Sequence, residues 1–118
     1  MNKVLYNGCF GGYNFSIDFQ KSYFDKIGVK WQESKEKSFG YTHLYSLSGA
    51  NLHIEAPRHN KILVALVEEW YESGKNPSGR FADIRIATIK GNQYLIDEYD
   101  GAETVMEPSD FHFITIKE

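Results

Sequence analysis

The chain has a single cysteine, Cys9, among its 118 residues. No disulfide can close within it, so a reducing compartment is the simpler reading. It also lacks an excess of positive charge: 13 Lys and Arg against 16 Asp and Glu leave a net charge of -3 and a pI of about 5.8. That balance argues against gripping DNA or RNA through overall charge, whereas one small anionic ligand needs only a local basic site. No apolar run approaches the ~20 residues that span a bilayer. Met1-Asn2-Lys3 leads straight into a strand-like segment without the apolar region of a signal peptide. There is no internal repeat and no low-complexity tract. The expectation is a soluble protein of the cell interior, with residues 1–118 forming a single domain.

Rings are plentiful instead. Eight Tyr, eight Phe and two Trp make up 15% of the chain. A domain of this length buries roughly two-thirds of its unfolded surface, too little to hide that many aromatics. Some of them should line a pocket or a contact between subunits.

Punctuation by Gly, Pro and capping residues divides the chain. Residues 3–7 (KVLYN) read as a strand, and residues 8–12 (GCFGG) as a tight loop. Ser16 caps a helix that runs to Ile27 and is closed by Gly28, with Ile17, Phe24, Ile27 and Tyr23 on its apolar stripe. Residues 30–39 are polar and read as a connection or a frayed strand. Residues 41–47 and 51–55 alternate like two strands around a Ser48-Gly49 turn. Pro57 breaks that pattern. Asn60 then caps a second helix over residues 61–73, closed by Gly74, with Leu63, Leu66, Val67 and Trp70 spaced three and four apart. Residues 83–90 form a β-branched strand, and Gly91-Asn92 suits a type II′ turn that returns residues 93–99 antiparallel. After a turn at Asp100-Gly101 come a brief extension at 104–106 and a last strand over 111–117. The order β-α-ββ-α-βββ predicts an α+β domain, with two helices packed on a mostly antiparallel sheet.

The chemistry-bearing residues form no catalytic or metal-binding set. The four histidines lack i, i+4 spacing and there is no CxxC pair. His53-Ile54-Glu55 resembles the HxE half of a zinc deaminase, whose PCxxC half is missing. Cys9 would need a nearby His to serve as a nucleophile, and no GxSxG elbow exists. The three-glycine loop stands where a phosphate could be cradled by backbone N–H groups, yet it matches neither nucleotide-loop pattern; a tight strand-to-helix turn is the plainer account. Asp97 and Glu98 alternate onto opposite faces of a strand and do not form a carboxylate pair.

A better anion site is residues 57–61 (PRHNK), where Arg58, His59 and Lys61 surround the start of the second helix, with its unpaired N–H groups. Arg58 could fork onto a phosphate, or be an ordinary solvated loop residue. Arg80 precedes Phe81, whose ring could stack on a purine or could simply open the next strand. The Asn92 amide could read a base edge.

Several stretches taken in order are similar to a known family. CFGGYNFS at residues 9–16 resembles a CYGGFxLS opening. Arg58 stands shortly before LVALVEE, a glycine-ended loop leads into a strand, and IDEYDG is followed by further acidic residues. Over well over half the length, this set resembles the first Thoeris anti-defence family of phage proteins. The resemblance implies a sponge that binds cyclic ADP-ribose-type immune signals in the infected bacterial cytoplasm and holds them uncleaved, without a cofactor. It also implies dimers, and in some members hexamers that hold cyclic oligonucleotides as well. It assigns ligand contacts to Arg58, Phe81 and Asn92, with His59 and Arg80 beside them. The family's C-terminal Arg has no counterpart here; His112 is the cation-capable residue in that stretch. An enzyme degrading such a nucleotide and a protein-interaction inhibitor are the alternatives. Because the second helix, about 20 Å long, should separate Arg58 from Phe81, a site using Phe81, Arg58 and Asn92 together is expected to span two subunits.

Overall fold

The structure, a computed structural model, describes residues 1–34, 42–111 and 113–117. Its elements are β1 (Asn2–Asn7), α1 (Ile17–Ile27), β2 (Gln32–Glu33), β3 (Leu44–Tyr45), α2 (Lys61–Glu72), β4 (Ile84–Ile89), β5 (Leu95–Tyr99) and β6 (Ala102–Met106). The fold is α+β. Among the described residues, the strands form three two-stranded antiparallel sheets, β1–β4, β2–β3 and β5–β6, in place of the single sheet expected.

Both helices arise where their caps sit. The Ser16 side chain accepts the Phe19 N–H, and Gly28 takes the left-handed conformation that ends α1. The Asn60 side chain accepts the Leu63 N–H at the start of α2. The core joins Leu5 of β1, Phe19, Tyr23 and Phe24 of α1, Leu63 and Val67 of α2, and Ile84 of β4. Phe19 is its centre: it stacks on Phe15 with centroids 4.9 Å apart and meets Trp70 edge-on at 5.2 Å. Phe19 therefore occupies the inner face of α1, while Ile27, expected on the stripe, is 40% exposed.

Several strand expectations are corrected. Residues 83–90 do not form a hairpin with residues 93–99. β4 pairs with β1 in the register Asn2↔Ile89 to Asn7↔Ile84, and β5 pairs with β6. A type II′ turn needs positive φ at Gly91, and Gly91 is not among the residues with positive φ. Residues 51–55 make no strand beyond an isolated bridge from Asn51 to Tyr45; β3 pairs instead with β2, a two-residue strand inside the stretch read as a connection or a frayed strand. Tyr41 and residues 35–39 of the expected elements lie outside the described residues. Of the expected last strand, Phe111 and residues 113–117 are not in a strand, and Phe113, Ile114 and Ile116 are 90%, 94% and 84% exposed. No helix among the described residues is long and apolar enough to cross a membrane.

Truncating the central ring should be costly. Phe19→Ala is expected to lower the unfolding free energy by about 3–5 kcal/mol, through lost burial and a residual cavity. Urea denaturation checks this; a loss under ~1 kcal/mol would show that Phe19 is not the centre of the core.

Candidate functional site

The open edge of β1 organises the region. One edge of β1 is paired with β4. On the other, the Leu5 N–H donates to the Arg58 carbonyl at 2.9 Å and the Asn7 N–H donates to Glu103 Oε1 at 2.8 Å. The loop before α2 and a side chain of β6 thus occupy donors that a bare strand edge would leave open. Arg58 and Glu103 are themselves joined by a two-pronged bridge, Nη1 to Oε1 at 2.6 Å and Nη2 to Oε2 at 2.9 Å. The Glu103 side chain is only 6% exposed and that of Arg58 24%. The guanidinium also lies 3.5 Å from the centroid of the Tyr13 ring.

Arg58 is thus engaged within the chain and is not an ordinary solvated loop residue. Its fork holds an internal carboxylate, so an anion would have to displace Glu103 to take both prongs. Burial works against the Arg58 charge, but the Glu103 hydrogen bonds and charge outweigh it and raise its pKa above the ordinary value. Under the guanidinium, the Tyr13 hydroxyl is buried without a hydrogen-bond partner. Burial pushes the Tyr13 phenol well above its usual pKa, with Arg58 pulling the other way.

Asn7 is a second organising residue, with no local signal in the residues around it. It is fully buried. Its Nδ2 donates to the carbonyls of Cys9 and Gly101, each at 2.7 Å, and its Oδ1 accepts the Asp83 N–H at 2.8 Å. Through these bonds it ties β1 to the start of β4 and to the β5–β6 turn. The glycine loop packs into the same place. A Cβ on Gly11 would stand 1.7 Å from the Phe81 carbonyl oxygen, and one on Gly101 would stand 2.5 Å from the Gly12 nitrogen. The glycines permit close backbone packing here, as the tight-turn reading expects. Cys9 Sγ donates to the Phe81 carbonyl at 3.1 Å.

The other expected site residues divide between the two ends of β4. Phe81 lies before Ile84. It has φ of 63° and is 70% exposed, and the Arg80 guanidinium stands 5.1 Å from its ring centroid. Asn92 lies past Ile89, beyond a strand whose six residues span about 17 Å. Arg58 sits between these ends, opposite Leu5, whose register partner is Ile86. The strand, rather than the second helix, therefore sets the spacing.

At the Asn92 end a cleft of about 620 Å³ opens. His59, Asn92, Gln93 and Tyr94 supply its polar groups, while Leu95, Met106 and Phe111 supply apolar surface. A smaller cavity of about 240 Å³, which also reaches Val4 and Ile89, shares His59, Asn92 and Tyr94 with it. His59 Nδ1 and the Tyr94 hydroxyl are 2.7 Å apart and fix each other's orientation. Burial raises the Tyr94 pKa while Arg58 pulls it down, which links the cleft electrostatically to the ion pair. His59 and Asn92 are thus brought together, Arg80 and Phe81 form a separate pair, and His112 lies outside the described residues. Tyr94, Gln93 and Phe111 were missed. The first two sit in what reads as an ordinary strand, and Phe111 as the start of another.

The cleft holds an imidazole, amides and ring faces, a set suited to binding a flat polar ligand. Asp97 and Glu98 lie exposed on β5, opposite Thr104 and Glu103, and Glu98 Oε1 accepts the Gly101 N–H. Among the described residues, no group of three or more His, Cys, Asp or Glu could hold a metal ion. A scan of family models gives no match to the chain, and neither curated proteins nor solved structures match it.

Two outcomes test this network. Glu103→Gln should cost about 2–3 kcal/mol in urea unfolding, by leaving a largely desolvated Arg58 without its counter-charge while water screens the remainder; a change below ~0.5 kcal/mol would show that the bridge is idle. Tyr13→Phe should be neutral or raise stability by about 1 kcal/mol, because it removes an unpaired buried hydroxyl. The same variant should flatten the alkaline limb of stability. The unfolded phenol ionises above about pH 10 while the folded one stays protonated, so wild-type stability falls as pH rises past that point. A Phe variant that is less stable, with an unchanged alkaline limb, would contradict this.

Proposed function

We propose that the protein binds and sequesters a cyclic ADP-ribose-type nucleotide without cleaving it, as a phage anti-defence sponge in the cytoplasm of an infected bacterium. The observation that carries this reading is the 620 Å³ cleft, in which His59, Asn92 and Tyr94 face ring and apolar surface. Its volume falls within the range of about 300–1,000 Å³ typical of small-molecule sites. The sequence resemblance names the ligand class. Asn92 would read a base or ribose edge, Tyr94 and Phe111 would offer ring surface, and His59 would face the phosphates. Arg58 would act from behind Tyr94 as a positioning residue. The carboxylates of β5 lie open on a strand and do not flank the cleft, which favours binding over hydrolysis.

The cleft has little cationic character of its own, and a pyrophosphate needs more. Arg80 with Phe81, held outward at the far end of β4, would supply a guanidinium and a stacking ring from a second copy of the chain. The site would thus be shared within a homodimer. Dimers could pair further into a hexamer, and cyclic oligonucleotides are further candidate ligands. No cofactor, nucleic acid or membrane partner is required.

Thermal-shift screening of the whole chain against cyclic ADP-ribose isomers and cyclic oligonucleotides tests this. A cyclic ADP-ribose isomer should raise the Tm, and heat should release it chemically intact. Asn92→Ala and Phe81→Ala should each weaken binding by about 2 kcal/mol, near 30-fold. Recovery of a hydrolysed product would make the protein an enzyme, and no shift with any nucleotide would favour a protein-interaction module.

A further inference from the structure

The end of the chain has strand chemistry without a strand partner. Phe111 and residues 113–117 are aromatic, β-branched or Lys, a composition that favours extended pairing. Yet Phe113, Ile114 and Ile116 stand 84–94% exposed. Three large apolar side chains in four residues are an exposed patch that calls for a covering surface. The β5–β6 hairpin has the complementary deficiency. Among the described residues no strand pairs with the outer edge of β5, and Leu95 and Tyr99 are 59% and 74% exposed. Two-stranded hairpins are marginal alone, and a third strand is what stabilises them. Charge matches as well: β5 carries Asp97 and Glu98, while the only charge among the described tail residues is Lys117.

The tail cannot reach that edge within its own chain in the usual way. Leu95 pairs with Met106, so the chain leaves β6 at the Leu95 end. Folding back onto β5 would make the tail run parallel to it. A parallel connection takes a dozen or more residues, whereas residues 100–110 separate Tyr99 from Phe111, and Ala102–Met106 of these are already spent in β6. A second copy related by a two-fold axis has no such constraint and can present β5 antiparallel.

We infer that the described tail residues, Phe111 and 113–117, of each copy pair antiparallel with β5 of a second copy, completing a three-stranded sheet and joining the two candidate half-sites. Antiparallel exchange sets the Phe111 end of one copy, which lines its cleft, toward the Tyr99 end of the other. Phe81 lies at that end, because its carbonyl packs on Gly11 and the neighbouring Gly12 packs on Gly101. One exchange thus carries Arg80 and Phe81 of one copy toward the cleft of the other. The inference deepens the shared-site part of the proposed function and rests on that part, although the pairing itself requires no nucleotide.

The test uses the full chain at ~10 µM, without nucleotide, by light scattering coupled to size exclusion and by hydrogen exchange. Wild type should run at twice its 13.6 kDa chain mass, with the outward amides of Leu95–Tyr99 protected. Ile114→Asp combined with Ile116→Asp, at two exposed tail positions outside the cleft lining, should run as a monomer, keep its helical circular dichroism, and exchange those amides at least tenfold faster. A monomeric wild type, protected β5 amides in a monomer, or a double variant that still dimerises would each overturn the inference. Should the variant fail to fold, the wild-type mass and β5 protection decide by themselves. Nucleotide titration separates the two readings. A tail-linked dimer that binds no nucleotide would refute the sponge alone, whereas undiminished nucleotide binding by the double variant would refute the exchange alone.

Discussion

The Arg58–Glu103 bridge is the contact on which the rest of the site depends. β1 carries two of the most deeply buried side chains of the sheet, Val4 and Leu5, and one of its edges is already paired with β4. Its other edge must meet polar partners or water. The Arg58 carbonyl and the Glu103 carboxylate provide them, and the bridge between those two residues holds the start of α2 against β6. Part of the cleft wall hangs from those two elements, since His59 follows Arg58 directly and Met106 and Phe111 follow Glu103; Asn92, Gln93, Tyr94 and Leu95 face them from the β4–β5 connection and the start of β5.

This explains why Arg58, the side chain in the sequence best placed to fork onto a phosphate, is turned inward. A guanidinium that fixes a buried carboxylate gives geometric precision to its neighbours, at the loss of its own availability. The binding surface passes to the groups it positions, the His59–Tyr94 pair and Asn92, which are neutral or weakly charged. Such a cleft can offer ring faces and hydrogen bonds, but it needs a cation from elsewhere for a pyrophosphate. Arg80, held over Phe81 at the far end of β4, is an exposed guanidinium beside an exposed ring, and the two-copy arrangement follows from that division of labour.

Helices were the legible part of the chain. Their signals are local: Ser16 and Asn60 as caps, Gly28 as a stop, and apolar residues three and four apart. Even there, the stripe on α1 was drawn through Ile27 instead of Phe19, since periodicity alone does not say where the neighbouring Trp70 will be. The sheets were less legible because pairing is decided at long range. Residues 83–90 and 93–99 read as a hairpin across Gly91-Asn92, yet β4 satisfies its ladder with β1, whose residues stand 77 to 87 positions earlier in the chain. The order of helices and strands agrees symbol for symbol with expectation, although two of the strands are different segments. Among site residues, His59 and Asn92 were visible as a basic-capable loop residue and a turn amide. Asn7, Glu103 and Tyr94 were not, because their roles come from partners 35 to 96 positions away.

The most direct test of the central claim is a nuclear magnetic resonance titration of the isotopically labelled chain with cyclic ADP-ribose isomers. The account predicts that at least one isomer shifts the Asn92 side-chain amide and the His59 ring resonances saturably, while the signals of the nucleotide itself show an unaltered compound after hours of contact. Unmoved Asn92 and His59 signals at saturating ligand, or conversion of the nucleotide in the tube, would contradict it.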